Sequence, residues 1–474
     1  MTFYFYDLET SGINPRKDRI VQFAGQRTTL DLKPIGSPDN IVIRLTEDVL
    51  PEPDAVLITG ITPQKTRLAG ITEAEFLHYF DEQVVTPNTT LVGYNNIRFD
   101  DEFMRFGLWR NFYDAYEWHW KDDRSRWDLL DVVRMTRALR PRGIKWPFAS
   151  DGQPSNRLEL LTSINALEHV DVHDALSDVR AIIAVARLLQ NKQPKLFQYL
   201  FKLRDKKKVA PLVTKGDPLI YTSGRYPSEY QKTTVAVMLA PHPDRGAALM
   251  YDLRVDPTPF AAMNPEELAK LWQLRGKDAP YFPIKVLSYN RSPAIAPLSV
   301  LDKASAKSLQ IDSQLITKHL KTLKSSENFA KNLLEALTIV QPKAQPELVV
   351  DEQKVDGLLY DGFVTNADKV KMSVVRAADA QTIKDLLVDF EDERLQKLLP
   401  LYKARNYPKS LSQQEKDWWQ NFRRQKLLAG DELSLAARYF KRLEELKQQP
   451  GLTKADNYLL EELKLYGQSI LPAA

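Results

Sequence analysis

The fold of this chain is decided by the stretch Phe3-Tyr4-Phe5-Tyr6-Asp7-Leu8-Glu9-Thr10, an aromatic run with carboxylates at alternate positions. Side chains of a β-strand alternate between its two faces, so Asp7 and Glu9 should lie on one face, about 7 Å apart. Two acids held in this way need a cation between them. The alternative is an edge strand with its polar face in water. Carboxylates brought to the same place by later segments would favour the cation site.

The composition is that of a globular protein with more than one domain. The chain has 474 residues, of which 43% are hydrophobic and 10% aromatic. This length predicts roughly two to four domains, and the composition gives no sign of disorder. With 66 Lys and Arg against 62 Asp and Glu, the charge permits a nucleic-acid partner without demonstrating one. The absence of cysteine excludes disulfides, thiolate catalysis and Cys-type zinc sites.

The sequence contains no targeting or membrane segment. It begins directly with strand-like residues and has no apolar run long enough to span a bilayer. We therefore expect a cytoplasmic protein, and a monomer, that does not associate with a membrane.

Residues 1–191 are predicted to form an α/β domain, because strands and helices both follow the opening strand. Residues 50–66 contain three prolines and are expected to form an ordered loop. The predicted strands are residues 20–28, 41–45 and 90–94. The predicted helices are one that follows a Thr72 cap and residues 97–112, 127–139, 157–166 and 174–189.

A basic segment at 192–208 separates this domain from the rest of the chain. It holds seven lysines and arginines against the single acid Asp205. A linker and a phosphate-binding surface explain this charge run equally well, and the interleaved rings of Phe197, Tyr199 and Phe201 modestly favour nucleic-acid binding.

Two further domains are predicted after this segment. Residues 209–345 read as a small antiparallel barrel with helical insertions, and residues 346–474 as an all-helical domain. The predicted barrel strands are residues 221–224, 233–239, 247–253 and 284–289, with one helical insertion at 264–275. Helices are predicted at 311–325, 329–337, 380–387, 391–399, 415–429, 434–447 and 454–466.

Two later segments carry acids that could join the opening pair. Asp100 lies in the first turns of a helix that follows a predicted strand, although the helix dipole also favours acids there. His173 and Asp178 are five residues apart, a spacing that does not share one helix face. We therefore expect His173 on a loop, followed by a helix that Asp174 caps and from which Asp178 projects. This arrangement suits a mobile base beside a fixed metal ligand.

Three motifs in this order resemble those of the DEDDh proofreading-exonuclease superfamily, which has a ribonuclease H-like fold. They are Asp7-x-Glu9-Thr10, Asn95-x3-Phe99-Asp100 and His173-x4-Asp178. Each motif is weak alone, but three in order at strand or helix ends are specific. The chain also resembles the bacterial exodeoxyribonuclease I family over essentially its whole length. The stretches that carry this second resemblance are residues 56–64, 93–96, 125–132 and 360–363, together with the barrel-like middle.

The resemblance implies a Src-homology-3-like middle barrel and an enzyme that digests single-stranded DNA from its 3′ end, releasing 5′-mononucleotides, in DNA repair and recombination. Two magnesium ions, or manganese as a substitute, would serve both ends of an in-line displacement at phosphorus. Asp7, Glu9, Asp100 and Asp178 supply the oxygen ligands that such ions prefer, and four crowded carboxylates would repel one another without them. His173 would take the proton from the attacking water.

Substrate and partner residues follow from weaker arguments. Thr10 and Asn95 belong to the motifs, and Thr59 lies in a loop that the superfamily places beside the terminal nucleotide. Arg157 follows two capping residues and either receives a phosphate or is an ordinary surface arginine. The family resemblance also points to single-stranded DNA-binding protein, through its acidic C-terminal tail. A basic seam suited to that tail is predicted at Arg140, Arg142, Tyr199 and Lys202.

Two other functions stay open at the level of sequence. One is an exoribonuclease of the same superfamily, since no residue reveals how the site treats a 2′-hydroxyl. The other is a non-catalytic protein that binds single-stranded nucleic acid. Against the second, all five motif residues are present.

Overall fold

The centre of the N-terminal domain is a five-stranded mixed sheet. The computed structural model describes residues 1–168, 174–244, 246–276, 279–341 and 350–472. The strands are β1 (Thr2–Thr10), β2 (Ile20–Thr28), β3 (Asp39–Val42), β4 (Thr89–Gly93) and β5 (Ser125–Asp128). Their order is β3-β2-β1-β4-β5, with β2 antiparallel to both β1 and β3, and with β1, β4 and β5 mutually parallel. The opening strand is therefore central, as the sequence predicts.

The aromatic residues of β1 divide between two cores. Phe3 and Phe5 belong to the cluster on one side of the sheet, whereas Tyr4 and Tyr6 belong to the cluster on the other. Strand periodicity places Asp7 on the Phe3 and Phe5 face. Helix α7 (Ala175–Lys192) packs against this face of β1 and β2. The packing of apolar residues along β1 thus brings the start of α7 to the acidic end of the strand.

The remaining helices of the N-terminal domain flank the sheet. They are α1 (Pro53–Thr59), α2 (Pro63–Ala69), α3 (Glu73–Tyr79), α4 (Asp100–Arg110), α5 (Leu129–Leu139) and α6 (Leu158–Ile164). The predicted loop at 50–66 is wrong, because α1 and α2 each use a proline in the first turn, where no amide hydrogen is needed. Gly60, with φ 66°, ends α1 in the left-handed conformation. The Thr72 cap is confirmed, and it forms a capping box with Glu75.

Residues 192–208, predicted as a basic linker, are largely helical. They contain all of α8 (Pro194–Lys202) and the start of α9 (Lys206–Thr214). Phe197 is buried, and the rings of Phe197 and Phe201 each lie 5.0 Å from the indole of Trp127. These two rings therefore pack against the sheet domain instead of offering a stacking surface for bases.

The middle domain is built on a second five-stranded sheet, whose strands are all antiparallel to their neighbours. The strands are β6 (Leu219–Thr222), β7 (Thr233–Pro241), β8 (Ala247–Asp252), β9 (Ile284–Ser288) and β10 (Ala294–Pro297), in the order β10-β6-β7-β8-β9. Strand β10 is missing from the sequence prediction. The helices here are α10 (Thr258–Ala261), α11 (Pro265–Gln273), α12 (Lys303–Ser308), α13 (Ser313–Ser325) and α14 (Phe329–Val340). One buried apolar cluster runs continuously from this domain into the first.

The C-terminal domain is helical. Its helices are α15 (Asn366–Ala377), α16 (Glu393–Asn406), α17 (Gln413–Leu428), α18 (Leu435–Lys447) and α19 (Lys454–Ile470). The helix predicted at 380–387 is wrong: the Asp379 carboxylate accepts from the amides of Gln381 (3.0 Å) and Thr382 (2.9 Å) and starts only a short turn there. The domain packs on α4 through Phe106, Trp109 and their neighbours. Among the described residues, no helix combines the length and apolar character needed to cross a membrane.

Candidate active site

Three of the predicted ligands meet at the carboxyl end of β1. Carboxylate oxygens of Asp7, Glu9 and Asp178 all lie within 4.8 Å of one another. Asp7 and Glu9 share one face of β1, and Asp178 projects from the first turn of α7. Asp174 caps that helix as predicted, since its carboxylate accepts from the Ser177 amide at 3.1 Å. His173 lies outside the described residues.

The next two acids, Asp100 and Asp101, are neighbours in sequence and differ in what they contact. Both are buried in the first turn of α4, but Asp100 faces the cavity that Asp7 and Glu9 line. Asp101 forms a buried ion pair with Arg126 at 2.6 Å and accepts a hydrogen bond from the Tyr6 hydroxyl. Asp101 therefore holds α4 against the sheet, whereas Asp100 adds a carboxylate to the acidic site.

These acids open onto a cavity of about 580 Å³. The residues that line it come from β1, the β4–α4 turn, the segment before α6, the helices α5 and α7, and the middle domain. They are Asp7, Leu8, Glu9, Tyr94, Asn95, Phe99, Asp100, Leu130, Arg134, residues 154–159, Asp178 and Lys232. Cations and a ring at the rim with carboxylates below form a place where an anionic chain could approach a metal site.

Burial and like charge raise the pKa values of this cluster. Burial, followed by Asp100 and Asp178, raises the pKa of Asp7 well above its ordinary value. Burial, followed by Asp178 and Asp100, raises the pKa of Glu9 to about 8. Burial, followed by Asp101, likewise raises the pKa of Asp100 to about 8. A donor set of carboxylate oxygens alone, crowded enough to resist ionisation, fits hard divalent cations such as Mg²⁺ or Mn²⁺.

Two of the predicted substrate residues line the cavity. Asn95 adopts φ 70°, and its backbone amide donates to the Asp128 carboxylate at 2.9 Å. Arg157 caps α6, is 71% exposed, and lies 2.5 Å from the Glu159 carboxylate. Asn95 and Arg157 therefore both lie in the cavity that the carboxylates of Asp7 and Glu9 line.

The two predicted threonines lie elsewhere. The Thr10 hydroxyl is buried and donates to the Gly12 carbonyl at 2.7 Å, while the Thr59 hydroxyl accepts from the Ile61 amide at 3.2 Å. Among the described residues that line the cavity, neither appears. Both hydroxyls are used in local turns of the chain.

The predicted partner residues lie around the junction of α5 and α8. Arg140 donates to the Val300 carbonyl at 2.9 Å and so links the first two domains. Arg142 and Lys202 are exposed. The buried Tyr199 hydroxyl has no hydrogen-bond partner within the described part of the chain, and burial raises the pKa of Tyr199 to about 12.

Two cationic side chains that line the cavity are absent from the sequence predictions. Arg134 lies on α5, one turn after Asp131, with which it pairs at 2.7 Å. Lys232 belongs to the middle domain and enters a cavity formed otherwise by the first. Helical spacing could have drawn attention to Arg134, but Lys232 carries no local signal, because only tertiary structure brings it to the site.

Family models match all three domains. The exonuclease model matches residues 4–186, the exonuclease I SH3-like model matches residues 204–338, and the exonuclease I C-terminal model matches residues 353–470. The fold and the acidic site therefore define a nuclease of the metal-dependent exonuclease class.

Relatives over the whole chain make the assignment narrower. The chain is 38% identical to exodeoxyribonuclease I of Escherichia coli, with 99% of this chain and 98% of the relative covered. It is 40% identical to exodeoxyribonuclease I of Haemophilus influenzae, with 90% of each chain covered. Escherichia coli exonuclease I in complex with a dA16 oligonucleotide superposes with a TM-score of 0.93 and 99% coverage of both chains. The chain belongs to the exodeoxyribonuclease I family, and it is a hydrolase that acts on DNA.

Proposed function

We propose that the chain removes nucleotides one at a time from the 3′ end of single-stranded DNA and releases 5′-mononucleotides. The observation that carries this proposal is the convergence of Asp7, Glu9 and Asp178 within 4.8 Å in a cavity that Asp100 also lines. The oligonucleotide held by the Escherichia coli relative supports a single strand as substrate. A role in DNA repair and recombination fits such an activity.

Asp7, Glu9, Asp100 and Asp178 are the residues that would hold two magnesium ions, with manganese as a possible substitute. When bound, such ions activate a water molecule for attack on phosphorus and stabilise the departing oxygen. The protein's own part is to hold four carboxylates in a largely buried cluster and to keep cationic side chains at the rim. Arg157, the N-cap residue of α6, lines the same cavity and could contact a phosphate or the terminal sugar.

His173 is proposed as the general base that accepts the proton of the attacking water. The proposal rests on its position in the sequence, one residue before the Asp174 cap and five before Asp178. Changing His173→Ala should reduce the turnover rate by roughly 10²- to 10⁴-fold while strand binding is largely kept. The matched control is His78→Ala, because His78 is an exposed histidine on α3 that lies 3.4 Å from the Glu82 carboxylate. Weaker binding without a rate defect would remove the assignment.

The central experiment uses matched DNA and RNA strands, labelled at either end, with magnesium or with a chelator. We expect a 3′ label to be released at once as a mononucleotide and a 5′-labelled DNA strand to shorten stepwise, only when metal is present. Equal degradation of RNA would favour the exoribonuclease alternative. Binding of both strands without any release would favour a non-catalytic protein.

The proposed partner is single-stranded DNA-binding protein, whose acidic C-terminal tail would bind at Arg140, Arg142, Tyr199 and Lys202. A solved structure described as SSB/exonuclease I with an inhibitor, which superposes with a TM-score of 0.89, supports a partner of this kind. Fluorescence anisotropy of a labelled acidic peptide should show binding that high salt removes. Charge reversal by Lys202→Glu should abolish it, and unchanged binding would place the partner elsewhere. Ultracentrifugation should give the mass of a monomer.

A further inference from the structure

One wall of the active-site cavity comes from the middle domain. Lys232, immediately before β7, lines the cavity together with Asp7, Glu9, Asp100 and Asp178. Among the described residues of that lining, Lys232 alone belongs to the middle domain. The domain therefore reaches the acidic site directly through one cationic side chain.

The backbone at this position is held in an unusual conformation. Gln231 and Lys232 have φ values of 50° and 59°, in the left-handed region that residues other than glycine rarely adopt. The conformation is fixed on both sides, because the Lys232 amide donates to the Pro227 carbonyl at 3.0 Å and the Ser223 amide donates to the Lys232 carbonyl at 2.9 Å. Gln231 is further tied to the Ser308 hydroxyl at 2.9 Å. Such conformations persist where the surroundings hold them, often at binding sites.

Lys232 lies beside a second cation. Burial, followed by the charge of Arg134, lowers the pKa of Lys232. Arg134 donates to Asp131 at 2.7 Å through one terminal nitrogen, but its buried Nε has no hydrogen-bond partner among the residues that the structure describes. Among the described residues, no carboxylate lies within ion-pair distance of the Lys232 amine. Asp131, the carboxylate paired with Arg134, also lies 3.6 Å from Arg98. Lys232 therefore adds a positive charge that no described carboxylate pairs with.

We propose that Lys232 and Arg134 together bind a backbone phosphate of the nucleotide strand in the active-site cavity. An anion placed between the two cations would relieve their mutual repulsion and supply an acceptor for the unpaired donor. The pair also offsets the repulsion between the strand and the carboxylates below. The inference rests on the proposed function, and it gives the middle domain a part in holding the end of the strand that reacts.

The first test compares Lys232→Gln and Lys232→Arg with the control Lys270→Gln. Glutamine at 232 should keep the local backbone, because the neighbouring Gln231 already adopts the left-handed conformation. The control residue Lys270 is an exposed lysine on α11 of the same domain. Lys232→Gln should raise KM about tenfold, as expected for loss of a charged hydrogen bond. Lys232→Arg should restore most of this loss, and Lys270→Gln should behave as the unchanged protein. An unaltered KM in Lys232→Gln would overturn the inference.

Salt dependence separates a phosphate contact from a structural effect. For a single strand, each neutralised phosphate contributes a slope of about −0.7 to log K against log salt concentration. In Lys232→Gln, the slope of log K against log salt concentration should therefore be shallower by about 0.7. An unchanged slope with weaker binding would indicate a structural defect and count against the contact.

The second test replaces single phosphates near the 3′ end with neutral methylphosphonates, one position at a time, and measures binding in a chelator. The unchanged protein should lose affinity at the contacted position, and Lys232→Gln should lose clearly less there, because only Arg134 still contacts that phosphate. Identical profiles for the two proteins would overturn the inference. Because this readout needs no hydrolysis, it stands apart from the proposed function. The proposed function is tested separately, by nucleotide release from matched DNA and RNA strands by the unchanged protein with magnesium.

Discussion

Two buried charge clusters in this molecule differ in what balances them. The proposed catalytic cluster, named the catalytic cluster for short, consists of the four carboxylates Asp7, Glu9, Asp100 and Asp178. The interdomain ion cluster alternates acids and bases from the first and third domains. Its members are Arg19, Asp48, Asp356, Arg405 and Lys426. Asp356 lies 2.6 Å from Arg19 and 2.8 Å from Arg405, and Asp48 lies 2.8 Å from Arg405 and 2.7 Å from Lys426.

The carboxylates are buried in both clusters, but their pKa values shift in opposite directions. Burial alone would raise the pKa of Asp356, but Arg405 and Arg19 hold it well below its usual range. Burial also opposes ionisation of Asp48, yet Arg405 and Lys426 hold the pKa of Asp48 well below its ordinary value. In the catalytic cluster, burial and neighbouring acids act in the same direction and raise the pKa values of Asp7 and Glu9.

The contrast separates a structural use of buried charge from a catalytic one. The interdomain cluster supplies its own counter-charges, so it is complete when the chain is folded and joins the C-terminal helices to the first domain. Among the described residues, no cation forms an ion pair with Asp7, Glu9 or Asp100, so a bound divalent cation would balance their charges. Substitutions in the two clusters should therefore affect different properties.

The largest expected effect comes from Asp7→Asn. Loss of a metal ligand should lower the rate of nucleotide release by roughly 10²- to 10⁴-fold, because metal-ion catalysis contributes several kcal/mol. The same change removes a repelled carboxylate, so the metal-free protein should unfold at an equal or higher temperature. Rates from end-labelled DNA and thermal midpoints in chelator check both halves. A fall in the midpoint together with the rate would show that Asp7 is a structural residue.

Asp356→Asn should lower the stability of the protein and leave its rate of nucleotide release unchanged. Removing this charge leaves Arg19 and Arg405 buried without it, and breaking a buried pair costs about 3–5 kcal/mol in the free energy of unfolding. The rate per folded molecule at 25 °C should be unchanged. Denaturant titration and a rate assay on the same preparation provide the measurement.

A matched control for Asp356→Asn uses another ion pair between the same domains. Arg442 binds Asp54 at 2.6 Å, but both side chains are largely exposed to solvent. Arg442→Gln should leave the denaturation midpoint unchanged, since exposed pairs contribute little. Equal losses in the two variants would contradict the role of burial in the comparison.

The two clusters should also give the metal-free protein opposite dependences on pH. The folded pKa of Glu9, about 8, lies above its unfolded value, so the stability contribution of this group is complete below the unfolded pKa and is lost as pH rises through about 8. The folded pKa of Asp356 is depressed, so its contribution is present above the unfolded pKa and is lost as pH falls through the folded value.

Thermal midpoints between about pH 2 and 9, with chelator and with magnesium, test this pair of trends, because the contribution of Asp356 is lost only below its ordinary pKa of 3.8. In chelator the midpoint should decline towards alkaline pH, and magnesium should remove that decline. Glu9→Gln should weaken the alkaline decline, and Asp356→Asn should weaken the acid one. An alkaline decline that persists with magnesium would have another origin.

The catalytic cluster was largely predictable from sequence, because its signals are local. Strand periodicity places Asp7 and Glu9 together, and the Asp174 cap fixes where α7 begins and hence where Asp178 projects. The aromatic run identifies β1 as a buried central strand. Each of these inferences needs only a few neighbouring residues.

The interdomain cluster could not be predicted, because its members are far apart in sequence. Nothing near Arg19 or Asp356 indicates that they meet at 2.6 Å, and each would be read as a surface residue. Lys232 is hidden for the same reason. The error at 380–387 is of another kind, since apolar spacing there resembles a helix while Asp379 caps a single turn.

The smallest expected effect comes from Gly224→Ala, which disturbs the catalytic side of the comparison without altering a charge. A Cβ atom at Gly224 would lie 2.8 Å from Nη1 of Arg134 and 2.9 Å from Nη1 of Arg98. Both are ends of flexible side chains, so they can move aside, and the thermal midpoint should not change. KM for single-stranded DNA should rise a few-fold, because Arg134 loses its position in the cavity. In an Arg134→Gln background, Gly224→Ala should cause no further rise in KM. Additive rises in KM would mean that Gly224 acts through another group.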